Sequence, residues 1–463
     1  MSSAPPQATL PLPSANPATR KGAGTISHSI LWLVAERIVT TFAVFGSNVI
    51  VIRHLGPEDF GHLALFQVAL AILTICTDFG LRRVFLSVGR SRGLALITAA
   101  TLRLKLILAV LASLALLAAL SLFQVPREYG LLLAVILASP LDVHVYRFEA
   151  RLRNDLLARI RVAMALLLAG FRVGLCWSDQ GLAAIAATYV LPAVALNLIV
   201  AALGRRLDDG GDFRATPRRL RRIEAYLARR SLWGFAAALV QQLAWRTDQL
   251  LVRHLGGPED LGLYAAAYKF IEQMLILVMM VNGILLPALS RRSTATTEAG
   301  LRDIYFVALL GALAAALILG GGAPWIIRWA FGAEFAPAAQ VLAILALALP
   351  GLVLATVGTL YYSLTGADAQ MLWRALTGLL LAGLACALLI PPFGAVGAAW
   401  SVVASQCLAA FVIDALIPAT RRNNTLKLQA VADLLRPARY RAIVHLLPRR
   451  TPISSPTPQE TEP

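Results

Sequence analysis

Twelve apolar segments dominate this 463-residue sequence, and each is long enough to cross a lipid bilayer. A transmembrane helix needs about 20 mostly apolar residues, because the hydrocarbon core is about 30 Å thick. Only 14% of the residues are charged and 58% are hydrophobic, so the chain has too few charges for a fully water-facing surface. The sequence therefore predicts an all-α polytopic membrane protein with about 12 transmembrane helices. The predicted spans are residues 26–52, 60–81, 104–123, 129–148, 160–177, 182–203, 232–252, 262–289, 304–325, 337–364, 371–390 and 395–417.

A short motif occurs twice, as R-H-L-G-P-E-D-F-G from Arg53 and as R-H-L-G-G-P-E-D-L-G from Arg253. Its glycine suits the end of one helix and its proline the first turn of the next, although a turn does not require the Arg-His pair. Each copy joins the first two spans of its half, which predicts two six-helix lobes of the same orientation. The predicted organisation is a disordered cytoplasmic N-terminus (1–25), an N-terminal lobe (26–203), a basic cytoplasmic linker (204–230), a C-terminal lobe (231–418) and a basic cytoplasmic tail (419–463).

The distribution of positive charge predicts the orientation of the chain. We count 24 Lys and Arg residues in the connections that follow even-numbered spans, and four in the others, Arg53, Arg127, Arg253 and Arg328. Cytoplasmic connections carry the excess of Lys and Arg, so both termini are predicted to be cytoplasmic. The net charge of +17 is thus a topology signal, and no nucleic-acid partner is predicted. Residues 217–230 are predicted to form a basic amphipathic helix at the inner leaflet, with anionic membrane lipids as partners.

The four cysteines indicate no special chemistry. They lie within apolar segments and form no C-x-x-C pair, so the sequence predicts neither a disulfide framework nor a metal site, and no cofactor. They are Cys76, Cys176, Cys386 and Cys407.

Several further motifs carry a resemblance to a known family. They include T-D-F-G-L from Thr77, L-G-L-Y-A-A-A-Y-K from Leu261, F-G-A-E-F-A-P-A from Phe331 and G-A-V-G-A-A from Gly394. Together with the repeated motif, this region resembles the bacterial polysaccharide (O-antigen type) flippases of the multidrug/oligosaccharidyl-lipid/polysaccharide exporter superfamily. The resemblance implies two six-helix lobes around a central cavity that opens alternately to each side. It also implies polyprenyl-diphosphate-linked saccharides as substrates.

Ionisable residues inside predicted spans are candidate site residues, because burying a charge in a membrane costs about 2.5 kcal/mol or more. For each, a place in a cavity and a pairing within the bundle both remain open. We predict that Asp78 and Asp414 lie near the inner ends of their spans and face water. The cations Arg37, Arg172, Arg246 and Lys269 are the predicted substrate-binding residues, and Asp78, Asp248 and Glu272 are the acids predicted for ion coupling or ion pairing.

The predicted function is transport across the bacterial inner membrane without covalent chemistry. A monomer would flip the lipid-linked saccharide from the cytoplasmic to the periplasmic leaflet for surface polysaccharide synthesis, beside polymerase or ligase machinery. One alternative is a cation-coupled multidrug antiporter of the same superfamily. The other is a membrane glycosyl ligase or polymerase, which the short outer connections, such as 124–128 and 391–394, disfavour.

Overall fold

The computed structural model describes residues 23–88, 94–122, 126–151, 154–178, 180–206, 216–289, 294–365, 368–416, 420–437 and 439–440. Within these ranges every regular element is a helix. The helices are α1 (Ala23–Asp78), α2 (Leu81–Val88), α3 (Leu94–Leu122), α4 (Arg127–Ala150, with 3-10 turns), α5 (Asn154–Trp177), α6 (Leu182–Arg206), α7 (Pro217–Leu255), α8 (Gly257–Leu289), α9 (Thr294–Gly321), α10 (Ala323–Phe331), α11 (Ala338–Thr365), α12 (Asp368–Cys407, which continues by a π-helical turn to Leu416) and α13 (Arg421–Asp433). Residues 1–22 of the predicted N-terminal segment and more than half of the tail 419–463 lie outside the described residues.

Nine helical segments of the described chain are long and apolar enough to cross a membrane. Two of these, Ile38–Val88 and Trp373–Leu416, have 51 and 44 residues, which is about twice the length that one crossing needs. Both bend sharply at a glycine, so each provides two crossings. With α7, whose residues 232–252 are a predicted span, the described chain contains twelve.

The two bends occur at glycines because the backbone there is left-handed. Gly56 in α1 has φ +73° and Gly394 in α12 has φ +55°, which side chains with a Cβ rarely tolerate. Asp260 of α8 closes the second bend, since its carboxylate accepts a hydrogen bond from the Ala395 N–H at the start of the new helix. Gly56 likewise lies beside the Glu334 carboxylate. The motifs at Arg53, Arg253, Phe331 and Gly394 therefore meet at one end of the bundle, which we call the turn face.

At the turn face the two copies of the repeat contact each other reciprocally. A Cβ added at Gly61 would lie 1.8 Å from the Pro258 carbonyl oxygen, and one added at Gly262 would lie 1.8 Å from the Pro57 carbonyl oxygen. Helices α1 and α8 therefore cross with their backbones in direct contact. Equivalent residues make equivalent contacts, as expected for repeats related by a twofold axis.

At the opposite end of the bundle, which we call the linker face, residues 217–230 form the first turns of α7. Their apolar side does not face lipid, because Leu227 packs on Leu81 and Val84 of α2 and Ala100 of α3. The arginines of this segment are exposed. Nearby, the Phe79 and Phe235 rings stack with centroids 4.6 Å apart. The linker helix thus exists as predicted, but protein covers its apolar side.

Candidate functional site

Two cations and one acid form a cluster between α7 and α8. The Arg246 guanidinium donates to Glu272 Oε1, and Lys269 Nζ donates to Glu272 Oε2, both at 3.1 Å. Lys269 and Glu272 share a face of α8 because they are three residues apart. Arg246 reaches them from α7, which the turn at Gly256 places beside α8. We call these three residues the charge triad, and its formal charge is +1.

The charge triad is neither sealed nor fully solvated. The side chains of Arg246, Glu272 and Lys269 are 20%, 25% and 15% exposed. Arg246 Nε is buried and has no hydrogen-bond partner among the described residues. The Arg246 guanidinium therefore has an unused N–H donor, at Nε, beside the Glu272 carboxylate.

Asp248 lies two residues from Arg246 but forms no hydrogen bond with the charge triad in the described part of the chain. Its carboxylate accepts hydrogen bonds from the Tyr264 hydroxyl and from the Gln249 N–H, the latter at 2.8 Å. The residue is 7% exposed. Within the described residues, Asp248 is held by neutral donors and forms no ion pair.

A second cation site lies in the N-terminal half. Arg172 of α5 is 5% exposed, and its Nε donates to Thr188 Oγ1 at 3.0 Å. Its guanidinium stacks over the Tyr189 ring at 3.9 Å and makes long contacts of 3.5 Å to Ser47 and Asn48. No carboxylate pairs with it in the part of the chain that the structure describes. Arg172 is therefore a buried cation surrounded by neutral oxygens and an aromatic face.

Helix α1 lies between these two cation sites. Tyr189, which stacks on Arg172, donates to Asn48 Oδ1 at 2.6 Å. On the other limb of α1, Gln67 Oε1 accepts a hydrogen bond from Lys269 Nζ at 3.2 Å. The bond between Gln67 and Lys269 joins the two halves of the chain.

The structure does not bring all predicted site residues together. Arg246, Lys269 and Glu272 meet, whereas Arg172 lies across α1. Asp78 is at the linker face, where it accepts a hydrogen bond from the Tyr146 hydroxyl at 2.5 Å. The Arg37 side chain lies outside the described residues.

Sequence reasoning missed a buried ionic cluster at the linker end of the C-terminal half. Asp414 does not face water as expected, because it is 0% exposed and pairs with the equally buried Lys427 of α13 at 2.6 Å. Arg374 lies 3.5 Å from the same carboxylate, and the Tyr362 hydroxyl donates to it at 2.6 Å. Burial and the positive charge of Arg374 lower the pKa of Lys427, and Asp414 raises it; together they leave the pKa at about 8. No local pattern in the sequence pairs Asp414 with Lys427, because the two residues lie 13 positions apart.

The predicted location of Lys105 also needs a correction. Lys105 is one of the 24 Lys and Arg residues that the charge count assigns to the connections, but it lies inside α3 with 0% exposure. Its ammonium group donates to Asp142 Oδ2 at 2.7 Å and to the Ser139 carbonyl oxygen at 3.2 Å. Asp142 lies inside the predicted span 129–148, but no local pattern pairs it with Lys105, which is 37 positions away.

Comparison with known proteins identifies the family. The family model described as "Polysaccharide biosynthesis protein" matches residues 50–305, which is more than half of the chain. The chain belongs to this polysaccharide biosynthesis protein family. No curated protein sequence matches it.

Solved structures show that this family member has the fold of the MOP superfamily. An inward-facing multidrug resistance MATE transporter of that superfamily has 16% sequence identity and a TM-score of 0.60, and the match covers 84% of this chain and 95% of the other. A lipid II flippase, MurJ, in an inward closed conformation has 12% identity and a TM-score of 0.61, with coverage of 90% and 92%. An outward-facing MATE transporter has 16% identity, a TM-score of 0.56 and coverage of 86% and 96%.

These matches confirm the predicted family and the predicted all-α, two-lobe fold with about twelve transmembrane helices. The polysaccharide biosynthesis family member is a multi-pass membrane protein whose charge triad lies between two of its spanning helices. The match at residues 50–305 contains Arg172 and the whole triad.

Proposed function

We propose that this protein flips a polyprenyl-diphosphate-linked oligosaccharide from the cytoplasmic to the periplasmic leaflet of the bacterial inner membrane. The observation that carries the proposal is the surplus of positive charge inside the membrane-spanning bundle, at Arg172 and at the charge triad. A diphosphate carries two or more negative charges, and its passage through hydrocarbon without compensation is prohibitive. These cations would replace the hydration that the diphosphate loses, and Lys269 of the triad is bonded across the two halves to Gln67.

The triad residues suit this anion. Arginine offers a planar fork that binds two phosphate oxygens at once, and lysine acts as a point charge. Arg246 supplies a spare donor in Nε, and Lys269 lies where the two halves meet at Gln67. Arg172, and Arg37 on α1, are proposed as further contacts of the same substrate. Opening of the lobes to alternate sides would carry the head group across while the lipid tail stays in the bilayer.

The experiment compares alanine substitutions of Arg37, Arg172, Arg246 and Lys269 in a strain that depends on this protein for surface polysaccharide. Membrane abundance and polysaccharide are scored together, and transport should fall more than abundance. Arg422→Ala is the matched control, because it removes a cation from an exposed surface pair with Glu298, which is worth at most about 1 kcal/mol. Losses that merely follow abundance, or normal polysaccharide in all four variants, would contradict the proposal.

Asp248 supports a second candidate, a cation-coupled multidrug antiporter. Such a protein needs a carboxylate that exchanges a proton or a sodium ion against a cationic drug. Asp248 is buried and free of ion pairs within the described residues, as such a role requires. If Asp248→Asn abolishes export of a cationic dye and leaves surface polysaccharide normal, the antiporter is the better assignment.

A further inference from the structure

The charge triad contains an acid as well as two cations, and the acid needs an explanation. A site that only attracts a diphosphate would be stronger without Glu272, because a like charge at the same place repels the ligand. The acid nevertheless contacts both cations, with one oxygen for each. Its two oxygens thus bridge Arg246 and Lys269 as two oxygens of a phosphate group would.

We propose that Glu272 is an internal counter-anion that occupies the place of a substrate phosphate in the empty transporter and returns to it when the substrate leaves. This inference rests on the proposed function and adds a role in release. The carboxylate keeps both cations compensated while the site is empty. When the diphosphate binds, it takes the donors that Glu272 held.

The geometry of the triad favours displacement. Charge-assisted N–H···O bonds are usually about 2.7–2.9 Å long, and both contacts of Glu272 are 3.1 Å. Two other ion pairs are shorter: the fully buried Lys427–Asp414 at 2.6 Å and the partly buried Lys105–Asp142 at 2.7 Å. Glu272 also uses only one nitrogen of the Arg246 fork. Its bonds are therefore longer than those of these two pairs, as expected of a carboxylate that a competing anion can displace.

The charge balance makes the two occupants exclusive. Two cations and Glu272 sum to +1, and a diphosphate that joined them would leave an excess of negative charge in a partly buried site. Repulsion between Glu272 and the phosphates then drives the carboxylate away from the cations. The same repulsion lowers the affinity for the substrate, which a transporter needs because a substrate that is held too tightly is not released.

The test uses purified protein with inorganic pyrophosphate as the probe of the cation pair. Glu272→Gln keeps the size of the side chain and removes its charge. Because it removes a competing charged contact, the Kd for pyrophosphate should fall about tenfold to a hundredfold. Turnover in flipping should fall at the same time. Glu272→Asp keeps the charge and should stay near the wild-type Kd.

Matched variants separate the possible outcomes. Asp248→Asn neutralises a nearby buried acid that does not contact the cations, so it should tighten pyrophosphate binding much less than Glu272→Gln does. Equal tightening in both would overturn the inference, since it would show a general field effect. So would weaker or unchanged binding in Glu272→Gln, which is expected if the acid only positions the cations. Melting temperatures of the free variants show whether each is folded.

Failure of the inference and failure of the proposed function look different. If wild-type protein binds pyrophosphate, and Arg246→Ala and Lys269→Ala weaken that binding, the cation site stands whatever Glu272 does. If pyrophosphate binds neither wild type nor Glu272→Gln, both the inference and the cation site are wrong. If flipping is also normal in Arg246→Ala and Lys269→Ala, the assignment of the substrate charge to these residues is refuted directly.

Discussion

The reciprocal contact of Gly61 and Gly262 makes a quantitative prediction possible. An alanine Cβ at either position would lie 1.8 Å from a backbone carbonyl oxygen of the other half. The closest ordinary C···O contact is about 3.3 Å, so the crossing helices must separate by about 1.5 Å. Because the clashing atom belongs to the backbone, no side-chain rotation relieves it. We expect Gly61→Ala and Gly262→Ala each to destabilise the packing of α1 against α8 by about 1–3 kcal/mol or more.

The destabilisation caused by the two substitutions should not be additive. One separation of the helices makes room for both methyl groups, so Gly61→Ala with Gly262→Ala should cost little more than either alone. Residues in contact commonly show such coupling, of about 0.5–3 kcal/mol. The controls are Gly46→Ala in α1 and Gly283→Ala in α8, where an added Cβ meets nothing within 4 Å. In those controls alanine should stabilise the helix by a few tenths to about 1 kcal/mol.

Two measurements check this reasoning. Thermal unfolding of the purified variants gives the cost of each substitution. Thiol labelling of single cysteines at Glu58 and Glu259, which are exposed at the turn face, reports whether the turns separate. We expect faster labelling in the Gly61 and Gly262 variants. Additive costs, or costs no larger than those of Gly46→Ala, would refute the close crossing.

Three further predictions concern other parts of the molecule. Lys427→Met leaves the buried Asp414 without its closest partner and should destabilise the protein by about 3–5 kcal/mol, and adding Asp414→Asn should recover part of this loss in thermal unfolding. Arg172→Lys keeps the charge but loses the planar stacking on Tyr189, so flipping should fall more than membrane abundance, and equal falls would contradict this. Single cysteines at Ser14 and Ser454 should resist labelling from the periplasm in intact cells, and ready labelling there would overturn the predicted topology.

The length of the apolar segments was enough to predict the spans and their number, because span length is imposed by the bilayer and not by tertiary contacts. The repeated glycines likewise predicted turns and the relation of the two halves. Neither signal predicts that Gly61 touches Pro258, since the distance between crossing helices depends on how the two halves dock.

The contacts of the charged residues also fall into two groups: those that helical spacing predicts and those that depend on tertiary packing. Helical spacing places Lys269 beside Glu272, and this pairing follows from the sequence alone. The third member, Arg246, meets them only through the packing of α7 on α8. The partners of Lys105 and Asp414 come from residues 37 and 13 positions away, so local patterns leave them undetermined.

Because α7 is one uninterrupted helix, a tilt of its membrane-spanning part also displaces its N-terminal segment outside the bilayer. Its 39 residues span about 58 Å, nearly twice the hydrocarbon thickness, so the segment that packs on α2 and α3 lies well outside the bilayer core. A tilt of α7 by about 10° around the centre of the span 232–252 would move Leu220 by about 6 Å, estimated from a rise of 1.5 Å per residue. Any rocking of the C-terminal lobe must therefore slide or unseat this segment from its apolar contacts. The fluorescence of a dye attached at the exposed position Arg222 would then change with each transport cycle. This would report transport in real time without a labelled substrate.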